Sequence, residues 1–114
     1  MTYFLDPAMS VAFQGDKFAK ADLVRGAQLF LGLNCFQPGQ RQAAHTHAGA
    51  DKFYLVLSGK ARMTVGTETR IAGPGTLVWA PADVAHGVDE ALERTVLLVG
   101  IAPPPGATAS RPRA

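Results

Sequence analysis

Short candidate strands, broken every few residues by Gly or Pro, constrain this chain more than any other feature. Strands are predicted over Phe18–Leu23, Ala27–Gln37, Ala43–His47, Phe53–Ser58, Lys60–Val65, Glu68–Ala72, Leu77–Ala80, Ala85–Val88 and Glu93–Ala102. Turn signals separate them, among them Pro38-Gly39, Ala48-Gly49, Ser58-Gly59, Gly66-Thr67, Gly73-Pro74-Gly75 and Pro81-Ala82-Asp83. Many short strands at this spacing argue an all-β sandwich or barrel. No long window repeats with a period near 3.6, so a substantial helix is not expected. The one helical signal is a short turn at Asp6-Pro7-Ala8-Met9-Ser10, where proline comes early.

Two of these strands, Phe53-Tyr54-Leu55-Val56-Leu57 and Val96-Leu97-Leu98-Val99, are apolar at consecutive positions. A strand wetted on one face alternates. These do not, so both faces are expected to be covered, one by the barrel interior and the other by a second sheet or a second subunit. A homodimer is the expectation that follows.

A chain of 114 residues is one domain by size and large enough for a real core. The expected organisation is an N-terminal arm over 1–17, a barrel over 18–102 and a disordered Pro-rich tail over 103–114. The net charge of +2 comes partly from Arg111 and Arg113 in that tail, and no window holds a run of Lys and Arg. Nucleic acid is therefore not an expected partner. The opening residues, Met1-Thr2-Tyr3-Phe4-Leu5-Asp6, lack a basic segment followed by a long apolar one, and no stretch is long enough to span a bilayer. A cytoplasmic protein with no membrane partner is expected. The one cysteine, Cys35, excludes an internal disulfide and reads as a small packed hydrophobe.

The chain has three histidines, His45, His47 and His86. Side chains at i and i+2 of a strand share a face, so His45 and His47 can grip one ion from one strand. His86 returns from a later segment, as a ligand does in a sheet that folds back on itself. Imidazole suits Zn, Cu, Fe and Ni. Gln42, three residues before His45, is placed to orient a ligand or a bound water.

These residues form two spaced motifs. The first reads Gly39, five residues, His45-Thr46-His47, four residues, Lys52, six residues, Gly59. The second reads Gly75, five residues, Pro81-Ala82-Asp83, two residues, His86, three residues, Glu90. Together they resemble the two motifs of the cupin family, with every His, the Pro and three of four Gly in register. The resemblance implies a double-stranded β-helix, or jelly-roll barrel, in one domain. It also implies a divalent transition metal (Fe, Mn, Ni, Zn or Cu) on His45, His47 and His86, and a small-molecule pocket with Tyr54 and Trp79 in its wall.

The chain departs from the family pattern at three places. Lys52 stands where the family has a ligand Glu, Asp83 replaces a Gly, and Glu90 replaces an Asn. An ammonium has no lone pair, so Lys52 cannot ligate while charged. Three readings stay open. The three histidines hold the metal with water, Asp51 turns inward to supply a carboxylate, or the metal is lost and an organic anion sits beside Lys52. The resemblance implies a metal-dependent enzyme, dioxygenase- or isomerase-like, acting on a small oxygenated or anionic metabolite. The alternative is a non-catalytic ligand-binding or sensor protein. No histidine is spare as a general base, and Asp51 and Glu90 are the remaining candidates.

Overall fold

The computed structural model describes residues 2–106. Nine strands follow one another: β1 (Ala19–Arg25), β2 (Phe30–Phe36), β3 (Gln42–His45), β4 (Asp51–Ser58), β5 (Ala61–Val65), β6 (Glu68–Ala72), β7 (Leu77–Ala80), β8 (His86–Ala91) and β9 (Thr95–Ala102). All their pairings are antiparallel. One sheet has the order β1-β2-β9-β4-β7 and the other β3-β8-β5-β6. This is a two-sheet jelly roll, within the sandwich-or-barrel class that the strand spacing predicted and of the form that the resemblance implied. No α-helix occurs among the described residues, and no helix is long and apolar enough to cross a membrane. The Asp6–Ser10 signal becomes a 3-10 turn over Pro7–Ser10, with the Asp6 carboxylate accepting from the Ala8 N–H at 3.1 Å.

The core lies between the sheets. Phe36, Tyr54, Val56, Met63, Val88 and Leu97 are buried in it, joined by Val99 and Ile101. A second cluster lies on the outer face of the five-stranded sheet, where Leu33, Cys35 and Val96 are buried against Val11, Phe13, Ala19, Ala21 and Leu23. The two-faced apolar strands are thus explained in part by the chain itself. The arm residues Val11 and Phe13 cover β2 and β9, and the Arg94 guanidinium caps the Phe13 ring at 4.4 Å. Further along the sheet, Leu57, Leu77 and Trp79 remain exposed.

The barrel does not end cleanly at Ala102. Pro104 is buried, and an Arg25 Nη1–H donates to the Pro105 carbonyl at 3.1 Å. Pro104 and Pro105 therefore contact the barrel, inside the span 103–114 read from the sequence as a tail. A run of prolines opposes secondary structure but not packing. Residues 107–114 lie outside the described part.

Gly59 shows how tightly the hairpins are closed. It has φ +85°, and a Cβ there would lie 2.0 Å from the Arg94 carbonyl oxygen and 2.6 Å from Thr95 Cα. Both neighbours are backbone, so neither can swing away. Gly59→Ala is expected to cost at least about 2 kcal/mol of stability, read by urea unfolding. An unchanged midpoint would mean that this corner is looser than described.

Candidate metal centre

Pairing of β3 with β8 sets His45 directly opposite His86. β3 ends at His45, so His47 does not lie on the strand as expected. It sits in the following turn, where its carbonyl accepts from the N–H groups of Ala50 at 3.4 Å and Asp83 at 3.2 Å. That loop, rather than strand periodicity, brings His47 back to the cluster. Ring centroids are 4.9 Å apart for His45 and His47, 4.5 Å for His45 and His86, and 5.3 Å for His47 and His86. One ligand nitrogen from each ring lies within 4.8 Å of the other two.

Hydrogen bonds choose the tautomers. His45 Nδ1 lies 2.9 Å from the Ala43 carbonyl and His86 Nδ1 lies 3.0 Å from the Val84 carbonyl. A carbonyl only accepts, so each Nδ1 carries the proton and each Nε2 keeps a lone pair. The Nε2 atoms of His47 and His86 are buried without a hydrogen-bond partner. Leaving such an acceptor unpaired costs about 1 to 3 kcal/mol. Burial pushes the His47 pKa down to about 4, with the neighbouring Lys52 charge adding to it. Burial also lowers that of His86, against the opposing Val84 hydrogen bond. Both rings are neutral at pH 7, the form in which imidazole ligates. The donor set therefore fits a divalent transition metal.

Lys52 points inward. It is 3 % exposed, pairs across the sheet with Ala80 and Ile101, and places Nζ 4.6 Å from the centre of the Tyr54 ring. No carboxylate forms an ion pair with it among the described residues. Burial, with help from Lys20, lowers its pKa from 10.5 to about 8. Asp51, by contrast, faces away, and its Oδ1 accepts from the Ala82 N–H at 2.9 Å. It does not join the histidine cluster, which removes the reading in which Asp51 supplies a ligand. Glu90 also lies elsewhere, paired with Arg62 at 3.2 Å. Both candidate general bases are thus engaged outside the site.

The pocket residues divide. Gln42 lines the cavity beside His45, and its Oε1 accepts from the Tyr54 hydroxyl at 2.6 Å. Tyr54 is fully buried behind the pocket, 6.1 Å from the His86 ring, and burial raises its pKa. Trp79 is not in this pocket. Its β7 neighbours Val78 and Ala80 point inward, so Trp79 points out, 55 % exposed. Five further polar or tail residues of the pocket were not anticipated. Lys20, Asp22 and Arg25 from β1, the buried Asn34 from β2 and Pro105 line the same cavity of about 270 Å³. A separate concavity of about 430 Å³ meets the first at His47 and is walled by Pro103–Gly106.

A cupin-domain family model matches residues 32–99, which contain all three histidines. The chain belongs to the cupin family. An uncharacterized protein of Streptomyces coelicolor is 35 % identical over 86 residues, covering 75 % of this chain and 81 % of that one. The crystal structure of TT1209 from Thermus thermophilus is 33 % identical with a TM-score of 0.86, covering 91 % of this chain and all of that one. KdgF from a Halomonas species is 20 % identical with a TM-score of 0.80, covering 95 % and 98 % of the two chains, a likeness that shows the fold alone. Of the departures from the family motifs, the exchange of Gly for Asp83 is accommodated, because Asp83 adopts φ +69°, a region Asp tolerates.

Lys52 gives the site a signature in stability. Its folded pKa lies below the unfolded value, so between the two the unfolded chain holds the extra proton. Stability then rises with pH across that window. Urea unfolding is expected to show a gain of about 2 kcal/mol between pH 8 and 10, missing in Lys52→Met. Parallel pH profiles for the two proteins would mean that the ammonium is well solvated.

Proposed function

We propose that this cupin holds a divalent transition metal on His45, His47 and His86 and acts on a small oxygenated or anionic metabolite in the adjoining pocket, with dioxygenase- or isomerase-like chemistry. The observation that carries the reading is the pair of buried Nε2 atoms, on His47 and His86, that have no partner within the protein. His45 completes a donor set that leaves positions open, an arrangement known for catalytic sites. A bound ion there supplies Lewis acidity and, if it is Fe(II), redox chemistry with dioxygen. The protein residues do the rest. The Ala43 and Val84 carbonyls fix the imidazole tautomers. Lys52 offers a buried positive charge to a substrate anion, and the Tyr54 hydroxyl fixes the amide of Gln42.

Metal analysis of untagged protein purified without chelators tests this reading. Near-stoichiometric metal is expected in the wild type, and loss of it in the double variant His45→Ala, His86→Ala. A wild-type protein that takes up no Fe, Mn, Ni, Cu or Zn would overturn it. A second reading, a ligand-binding protein without turnover, is favoured by one observation. Neither Asp51 nor Glu90 reaches the site to act as a base. Thermal stabilisation by a metabolite that is never consumed would decide for it.

A homodimer belongs to the same proposal. The outer face of β4 and β7 leaves Leu57, Leu77 and Trp79 exposed where the N-terminal arm does not reach, and a second copy would cover them. Light scattering is expected to give a dimer mass for the wild type and a lower mass for Trp79→Asp. A monomer mass at every concentration tested would end this part of the proposal.

A further inference from the structure

The pocket beside the histidines carries an unusual charge balance. Lys20, Arg25 and Lys52 line it, and Asp22 is its one carboxylate. Lys52 is the buried member, with its ammonium over the Tyr54 ring and no ion-pair partner among the described residues. The other polar groups on the wall add donors. Gln42 Oε1 is already taken by the Tyr54 hydroxyl, which leaves the Gln42 amide hydrogens for the pocket, and Asn34 lines the same cavity. Imidazole ligands bring no negative charge to a metal. A dication placed among them meets a buried ammonium that no carboxylate of the described residues pairs with.

We propose that the three histidines and Lys52 bind a divalent metal and a small chelating carboxylate as a mutually dependent pair, each raising the affinity for the other. This rests on the metal reading above and adds the ligand class. The ligand is an anion with one carboxylate for Lys52 and a second oxygen donor positioned to chelate, small enough for a cavity of about 270 Å³. The carboxylate supplies the negative charge that the family pattern places at position 52. It lies between two positive centres and lowers the repulsion between them. By linkage, the factor by which the carboxylate tightens metal binding must equal the factor by which metal tightens carboxylate binding. Lys20 and Arg25, nearer the mouth, favour anions over neutral molecules on the way in.

Malonate is a suitable probe and malonamide its neutral counterpart. Zn²⁺ binding to the full chain is measured at free-metal levels fixed by a metal buffer, so that chelation in solution does not contribute. Saturating malonate is expected to tighten Zn²⁺ binding by about tenfold or more, and malonamide to have no effect. Calorimetry of malonate binding with and without Zn²⁺ gives the same factor from the other side, using wild-type protein alone. In Lys52→Met, Zn²⁺ binds more tightly than in the wild type when malonate is absent, and the coupling falls below about threefold. Zn²⁺ bound equally well with and without malonate overturns this proposal while leaving the metal site standing. Full coupling in Lys52→Met overturns the role of the lysine. No Zn²⁺ under either condition overturns both the proposal and the metal reading.

Discussion

The close approach of β3 to β8 is the constraint on which the site depends. Gly87, next to His86, faces the β3 backbone so tightly that a Cβ would lie 2.7 Å from the Gln42 carbonyl oxygen and 3.0 Å from Ala44 Cα. Without a side chain at 87, the two strands can pair at His45 and His86 and bring their rings to 4.5 Å. β8 is an interior strand, also paired to β5 through Val65, so His86 is held from both sides and fully buried. A mobile edge strand would place a ligand less firmly. His47 inherits its position from the same joint, because its carbonyl receives the Asp83 N–H just ahead of β8.

The charge of the pocket follows from which face of each strand looks inward. Along β4, Lys52, Tyr54 and Val56 are buried, while Phe53 and Leu55 are only partly so. Position 52 is thus committed to the interior whatever residue stands there. A carboxylate at that place would complete a metal site, whereas an ammonium makes the protein's own contribution positive. Charge that the protein does not supply at position 52 must come from a ligand or from solvent. Tyr54 softens the burial through its ring face but does not neutralise the ammonium.

The strand layout was largely readable from the sequence because turn chemistry and strand length are local properties. All nine expected segments became strands, with ends moved by a few residues; the second is Phe30–Phe36 rather than Ala27–Gln37, and the eighth runs on to Ala91. Which face of a strand looks inward was harder to read. In Leu77-Val78-Trp79-Ala80 every residue is apolar, so the pattern holds no parity, and Trp79 turned out while Val78 and Ala80 turned in. β1 misleads in a different way. Its apolar residues Ala19, Ala21 and Leu23 pack on the outer cluster, and Lys20 and Asp22 line the pocket. Alternation reads as apolar toward the core, so an inverted strand hides its pocket residues. The histidines were visible because their spacing in sequence is itself the motif. Their assembly through a turn rather than along one strand was not.

The placement of unsatisfied polar groups separates the two ends of the barrel. Thr95 is fully buried, yet its hydroxyl lies within hydrogen-bond reach of the Lys60 carbonyl at 3.0 Å and the Glu93 carbonyl at 2.8 Å. That end obeys the rule that buried polar groups find partners. The histidine end breaks the rule at two atoms, the orphaned Nε2 of His47 and of His86, close to a lysine with no carboxylate in ion-pair reach. Apolar residues of similar volume would make a more stable barrel at the same positions. A chain that satisfies its buried threonine and leaves both unsatisfied atoms in one histidine cluster is not poorly packed at random. The deficit is local: it gathers two acceptor nitrogens of a histidine cluster that could hold a metal and, close by, a cation with no carboxylate paired to it.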